Sequence, residues 1–140
     1  MAGEVIITKG SYTSLIASEA VANGAFSALS ASIDTVLTDG SEIYSILDFK
    51  LDLTSGTPVE NGTVNLYRVS MDGTDQAPTP AGAYAHQYVG SFTLDNATGK
   101  YYLSGVANVD ENDKFIWGND QATTVTCTLF VRGRTYTTAV

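Results

Sequence analysis

The clearest structural signal in the sequence is the run Leu47-Asp48-Phe49-Lys50-Leu51-Asp52-Leu53. Apolar side chains occupy every second position of this run, and charged side chains fill the positions between them. In an extended chain this alternation places the apolar residues on one face and the charged residues on the other, which helical spacing cannot do. The run therefore predicts a β-strand with one buried face and one face in water.

A second extended run, Thr63 to Val69, follows after a connector rich in turn-forming residues. We expect these two runs to pair as neighbouring antiparallel strands, whose apolar face needs a second layer to cover it. Residues 88–94 and 101–106 have the same character and are separated by a turn that contains glycine, which predicts another hairpin. Residues 124–132 alternate in the same way.

The segment Ser14 to Ala22 is ambiguous, because its alanines and Glu19 would tolerate a helix of two turns. The pair Asn23-Gly24 then stands between this segment and the mildly apolar run Ala25 to Leu29. Such a pair between two apolar runs is the strongest short-range signal for a hairpin. We therefore prefer a strand, a turn and a second strand.

The extended runs together predict about eight strands, with no long helix. The predicted fold class is all-β, an antiparallel two-sheet β-sandwich in a single domain over residues 11–140. Residues 1–10 are expected to form an N-terminal arm or a short strand. The pattern leaves jelly-roll and immunoglobulin-like topologies open, although the Cys and Trp framework of a true immunoglobulin domain is missing.

The composition argues against two classes of partner. The 15 acidic and 7 basic residues give a formal charge of -8, so no basic stripe is present to replace the counterions of nucleic acid. The same charge disfavours anionic membrane surfaces, and no run approaches the ~20 apolar residues of a membrane span. The N-terminal residues lack the pattern of a signal peptide, so we expect a protein made and used without export through a membrane.

The sequence offers few residues for catalysis or for binding a cofactor. His86 is the only histidine and Cys127 the only cysteine, so neither has a partner for a nucleophile motif or a zinc site. We expect a solvated loop histidine and a buried cysteine. The oxygen-rich turns 72–75 and 110–113 raise the possibility of calcium, but neither matches the spacing of a twelve-residue calcium loop. We therefore predict no catalytic residue, no cofactor and no metal.

Two features point instead to binding surfaces. Residues 72–87 are rich in proline, glycine and small residues and form a long loop, which in β proteins is often a binding surface or a contact with a neighbour. Phe130 lies on the polar face of its strand, where an aromatic side chain packs under a loop or meets another subunit. A sugar platform is the alternative, because eight tyrosines and Trp117 are present and Tyr84, Tyr88, Tyr101 and Tyr102 cluster in sequence.

Several of these segments, in this order, resemble small proteins encoded near the major capsid protein of tailed bacteriophages. They are Val21-Ala22-Asn23-Gly24-Ala25-Phe26, the run from Leu47 to Leu53, Gly62-Thr63-Val64-Asn65-Leu66-Tyr67 with Asp72-Gly73-Thr74 behind it, and Tyr88-Val89-Gly90-Ser91-Phe92. The likeness covers roughly residues 20 to 132. Such proteins look like capsid decoration, or cement, proteins.

The resemblance implies a jelly-roll-like β-sandwich, commonly a homo-trimer, on the outer capsid surface of the virion at threefold and quasi-threefold positions. There a non-enzymatic structural protein, made in the host cytoplasm, would bridge adjacent subunits of the major capsid protein and resist the outward pressure of packed DNA. The alternative is a carbohydrate-binding or fibre- and tail-associated module, in which Trp117 would contact a glycan. The residues predicted to contact the capsid or a neighbouring subunit are Glu4, Val5, Ile6, Ile7, Lys9, Asp72, Asp75, Pro78, Pro80, Tyr84 and Phe130.

Overall fold

The structure, a computed structural model, describes residues 5–37, 46–79, 87–107, 110 and 112–138. Within these residues the chain forms ten strands and one helix of four residues. The strands are β1 (Val5–Lys9), β2 (Thr13–Val21), β3 (Ile46–Ser55), β4 (Thr63–Val69), β5 (Met71–Asp72), β6 (Asp75–Gln76), β7 (Tyr88–Thr93), β8 (Gly99–Ala107), β9 (Lys114–Asp120) and β10 (Val125–Thr138); the helix is α1 (Ile33–Val36).

The strands form two main sheets, and every pairing in them is antiparallel. In the five-stranded sheet, β10 pairs with β3 on one side, and β3 pairs in turn with β8. On its other side, β10 pairs with β2 along its first half and with β1 along its second half. In the three-stranded sheet, β4 lies between β7 and β9. The predicted all-β, antiparallel fold class is confirmed.

A single hydrophobic core fills the space between the two sheets. The side chains of Leu47, Phe49, Leu51 and Leu53 on β3 are buried in it, as the alternation predicts. The three-stranded sheet covers them with apolar side chains from β4, β7 and β9, and the rings of Phe49 and Phe115 lie 4.9 Å apart between centroids. The two sheets therefore pack as the two layers of a sandwich.

The predicted pairing of the first two strong strands is wrong, because β3 and β4 belong to different sheets. Their connector, residues 56–62, is longer than the loops of two to five residues that close hairpins, and it bridges the ~10 Å between packed sheets. Gln121 holds it there, since its Oε1 accepts a hydrogen bond from the backbone N–H of Val59 at 2.8 Å. The chain therefore arches over the end of the core.

The predicted hairpin of residues 88–106 is wrong for the same reason. Strand β7 lies in the three-stranded sheet and β8 in the five-stranded sheet. Leu94, in the connector between them, is buried in the core, so the connector closes one end of the sandwich with an apolar side chain. The burial of this residue favours an arch between layers over a hairpin within one layer.

The predicted hairpin around Asn23-Gly24 is also wrong. The turn forms, and β2 is a strand, but the chain then runs along β9 and does not return along β2. Gly24 donates its N–H to the carbonyl of Asn119 at 2.8 Å, and Phe26 forms an isolated bridge with Gly118. Residues 22–30 thus extend the three-stranded sheet and cover part of its outer face.

Trp117 offers a direct test of the core, because its side chain is fully buried between the sheets. Replacing it with alanine (Trp117→Ala) removes a large apolar side chain and leaves a cavity. We expect the free energy of unfolding to fall by about 3–5 kcal/mol in urea titrations. The exposed Val59 provides the control, since Val59→Ala should change stability by about 0.5 kcal/mol or less. Equal effects of the two variants would contradict the packing described here.

Candidate docking surface

The second half of β10 extends past β3 and forms a two-stranded ribbon with β1. Within the described residues, β10 pairs with β3 as far as Arg134 and Ile46, whereas its pairing with β1 continues from Arg134 to Thr138. Ile6 and Ile7 on this ribbon are 46% and 52% exposed. Since neighbouring residues of a strand point to opposite faces, each face of the ribbon presents one isoleucine to solvent. Within the described residues β1 pairs with β10 alone, so this edge, with its exposed isoleucines, is a candidate contact site.

The outer face of the five-stranded sheet is organised around Asp48, a carboxylate that is fully buried. Arg134 contacts it through two nitrogens, with Nε 2.8 Å from Oδ2 and Nη2 2.7 Å from Oδ1. Arg132 donates from Nε to Oδ2 at 2.9 Å, and the backbone N–H of Gly105 donates to Oδ1 at 3.0 Å. This carboxylate therefore ties β3 to both of the strands beside it.

These contacts set the protonation state of Asp48. Burial alone would raise the pKa of the carboxyl group, because the charged form loses its hydration. The hydrogen bonds from Arg134, Arg132 and Gly105 outweigh burial and hold the pKa below its ordinary value of 3.8. Asp48 is therefore ionised at neutral pH and fixes both guanidinium groups in place.

Aromatic rings and cations alternate over the same face. The ring of Tyr12 has Arg132 at 4.5 Å and Lys50 at 4.9 Å from its centroid, and Lys50 also lies 4.3 Å from the ring centroid of Phe130. Tyr102 is 58% exposed and lies beside Tyr12, with 6.2 Å between ring centroids. Burial raises the pKa of Tyr12 above its ordinary value of 10.0, with Arg132 acting in the opposite direction. The result is an aromatic surface with fixed positive charges.

This face differs in charge from the chain as a whole. Within the described residues it carries five of the seven basic side chains, and its carboxylates are Asp48 and Asp52. The five basic residues are Lys9, Lys50, Lys100, Arg132 and Arg134, placed there by strand alternation and by register. We define the docking surface as these residues together with Ile7, Tyr12, Tyr102 and Phe130. It is a basic and aromatic surface on an acidic protein.

The structure brings some of the predicted contact residues together. Ile7 and Lys9 lie on the same face of the ribbon as Arg134, and Phe130 follows on the same face of β10. Ile6 lies on the opposite face of the ribbon, and the backbone of Val5 pairs with that of Thr138. Three residues singled out from the sequence, Ile7, Lys9 and Phe130, thus belong to the docking surface, and Val5 and Ile6 belong to the same ribbon.

Three further predicted contact residues lie elsewhere in the described part of the chain. Asp72 and Asp75 are exposed in the small hairpin of β5 and β6, which continues from β4, and Pro78 follows this hairpin. The structure therefore separates them from the docking surface, because β4 belongs to the other sheet. Glu4, Pro80, Tyr84 and His86 lie outside the described residues.

Sequence reasoning missed most of the docking surface. Lys50, Arg132 and Arg134 stand at outward positions of their strands, and Tyr102 stands opposite Lys50 on β8. The alternation alone predicts that these side chains point outward. What brings them together is the register between three strands that are far apart in sequence, and no local pattern encodes that register.

The structure also tests the other candidate sites that the sequence suggested. Trp117 is fully buried, so the alternative interpretation in which it contacts a glycan is wrong. Cys127 is buried as predicted, and burial raises its pKa to about 12, which leaves the thiol protonated at neutral pH. Within the described residues, no group of three or more His, Cys, Asp or Glu side chains is arranged to hold a metal ion. The described part of the chain also contains no helix of the length and hydropathy needed to cross a membrane.

Comparison with known protein families and with curated proteins finds no match to this sequence. The likeness to capsid decoration proteins therefore remains a prediction from sequence segments.

The pH dependence of stability tests the role of Asp48. Because its folded-state pKa lies below 3.8, the carboxylate stabilises the fold fully above that pH, and the contribution is lost as the pH falls toward the folded-state pKa. We expect Asp48→Asn to lower the free energy of unfolding by about 2–3 kcal/mol at neutral pH. In urea titrations at several pH values, the difference from the wild-type protein should shrink below pH 3.8.

Asp113 provides a control, because its pKa is shifted in the opposite direction to that of Asp48. Its burial raises the pKa above 3.8, although the backbone N–H of Asp110 and the Arg68 guanidinium lower it in part. Its contribution to stability is present below that pH and is lost as the pH rises through the folded-state pKa. The stability of Asp113→Asn relative to wild type should therefore improve with rising pH. The same pH trend for both variants would contradict this electrostatic account.

Proposed function

We propose that this chain is a non-enzymatic capsid decoration protein of a tailed bacteriophage, which binds the outer capsid surface and bridges subunits of the major capsid protein. The observation that carries the proposal is the docking surface, which joins an exposed apolar ribbon to a basic and aromatic sheet face. The resemblance of the sequence segments supplies the identity of the partner.

The chemistry of the docking surface favours a protein partner. Tyr102 and Ile7 supply exposed apolar area, and aromatic residues and arginine are enriched in protein interfaces. The cations around them sit on a chain of net charge -8, so an acidic partner surface would be attracted to this face and repelled by the rest of the molecule. Charge therefore favours one orientation of the sandwich on its partner.

The order of the strands supports the jelly-roll-like part of the prediction. From β2 the chain crosses to the edge of the three-stranded sheet at Phe26, returns to the other sheet at β3, and crosses again at β4. It stays in that sheet for β7, then alternates through β8, β9 and β10. Repeated crossing between two antiparallel sheets is what two interlocked Greek keys produce.

The proposed assembly is a homo-trimer placed at threefold and quasi-threefold positions of the capsid. In such an assembly the ribbon of each subunit is repeated by symmetry, so three weak contacts act together. The two isoleucines on opposite faces of the ribbon suit this arrangement. One can meet the capsid while the other meets a neighbouring subunit.

The copy number of the protein in density-purified particles from its source tests the proposal. We expect hundreds of copies per particle, in a fixed ratio to the major capsid protein, measured by quantitative mass spectrometry. A handful of copies would indicate a fibre or tail module. Complete absence from the particles would contradict a role in the virion.

The ribbon provides a second test. Ile7→Asp places a charge in the proposed contact, and burying an unpaired carboxylate is unfavourable. We expect capsid occupancy, measured by co-sedimentation with particles that lack the protein, to fall at least about tenfold, equivalent to about 1.4 kcal/mol.

Val59→Asp is the matched control, because Val59 is 48% exposed and lies in the connector between β3 and β4. Its occupancy should remain at the wild-type level. If both variants bind as the wild-type protein does, the ribbon is not the contact.

A further inference from the structure

A cleft of about 180 Å³ opens on the outer face of the three-stranded sheet. Its walls come from three separate parts of the chain: the segment after β2, with Phe26; β4, with Asn65 and Tyr67; and β9, with Gly118 and Asp120. This face lies on the opposite side of the sandwich from the docking surface. The cleft would therefore stay open to solvent on a protein docked through its other face.

Gly118 is the residue that makes the cleft possible. Its position faces outward on β9, and a Cβ atom there would lie 3.0 Å from the ring of Phe26 and 3.4 Å from the ring of Tyr67. The absence of a side chain lets both rings pack over this floor of the cleft, where Gly118 itself is buried. The wall is held in place because residues Gly24 and Ala25 bond to the backbone of Asn119, at 2.8 and 3.0 Å.

Three aromatic rings form a row beside this floor. Tyr67 stands between Phe26 and Tyr88, with centroid distances of 5.6 and 6.0 Å and both contacts edge-on. Phe26 and Tyr67 line the cleft and Tyr88 lies beyond Tyr67, so the half-buried ring of Phe26 is the aromatic surface that the cleft presents. Such a ring can pack against the C–H face of a ligand that also needs hydrogen bonds.

The polar groups of the cleft are oriented by a relay that starts at Tyr88. Its hydroxyl is hydrogen-bonded to Ser91 at 2.5 Å, and the Ser91 hydroxyl donates to Asn65 Oδ1 at 2.7 Å. The amide oxygen of Asn65 is thereby engaged, and its two N–H donors remain for a ligand. Across the floor, the exposed carboxylate of Asp120 offers acceptors alone.

Donors on Asn65 and acceptors on Asp120, next to the half-buried ring of Phe26, match the chemistry of a sugar. A pyranose carries neighbouring hydroxyls that both donate and accept, and it has apolar C–H faces. The volume corresponds to about six water molecules at ~30 Å³ each, which suits one sugar ring. The carboxylate of Asp120 and the net charge of -8 disfavour acidic sugars.

We propose that this cleft binds one neutral hexopyranose unit of a glycan, with Asp120 and Asn65 as hydrogen-bonding residues and Phe26 as the packing surface. The site differs from the platform suggested by sequence, since Trp117 is in the core and Tyr102 lies on the opposite face of the molecule. The proposal is independent of the capsid, because the isolated protein should bind the sugar without any particle present.

The test is an NMR titration of the ¹⁵N-labelled full chain with four probes: methyl α-D-glucopyranoside, methyl α-D-mannopyranoside, methyl β-D-galactopyranoside and methyl β-D-N-acetylglucosaminide. At about 50 mM probe, a site with a Kd of about 1 mM is nearly saturated. We expect at least one probe to give saturable shifts at the backbone amides of Gly118 and Asp120 and at the side-chain amide of Asn65.

Three variants locate the binding. Asp120→Ala changes an exposed residue, so it should keep the fold while weakening the responding probe at least about tenfold. Asn65→Ala should have a similar effect. Thr128→Ala, on the outer face of β10 and outside the docking surface, is the control and should bind as the wild-type protein does. Failure of all four probes to bind, shifts located elsewhere, or unchanged binding by Asp120→Ala would each overturn the proposal.

Discussion

The pairing of β3 with β10 is the constraint on which the rest of the structure depends. In its register Leu51 lies opposite Leu129 on the buried face, and Lys50 lies opposite Phe130 on the outer face. A slip of one residue would turn the charged residues of β3 into the core and the apolar ones into water. Asp48 reinforces this register from the outer face, because its carboxylate reaches Arg132 directly opposite and Arg134 two residues further along.

The sequence predicts the faces of the strands well and their partners poorly. The alternation from Leu47 to Leu53 identifies the buried residues, because burial of one face is a local property of an extended chain. Whether β3 pairs with β4 or packs across from it depends on contacts between the two sheets. Such contacts produce no periodic pattern in the sequence. The sequence predicts that three pairs of consecutive runs pair with each other. In all three pairs the chain instead passes from one sheet to the other. Two features of the sequence are consistent with these crossings: the length of the connector between β3 and β4, and the apolar residue Leu94 in the connector between β7 and β8.

The docking surface, too, could be predicted from the sequence only in part. Phe130 stands out in the sequence because an aromatic residue occupies a polar position, and Ile7 and Lys9 stand out because they belong to an apolar N-terminal run. Tyr12 gives no such signal, and Tyr102 stands out only as one of several clustered tyrosines. They join the surface because β8 and the turn before β2 are brought to the same side of the sheet, which is a consequence of strand order. A surface assembled from four separate segments is defined by topology and not by a motif.

The two outer faces of the sandwich also differ in how their polar groups are used. On the five-stranded sheet, Arg132 and Arg134 are already engaged by Asp48, so they shape the surface more than they supply free charge to a partner. Among the residues of the docking surface, those with exposed side chains are Ile7, Lys9, Lys100 and Tyr102. Each isolated contact of this kind contributes little, since exposed ion pairs are worth about 0–1 kcal/mol. Firm attachment through such a face therefore requires apolar burial by the ribbon and repetition of the contact by symmetry, which is why a binding partner with many identical subunits suits it better than a single small one.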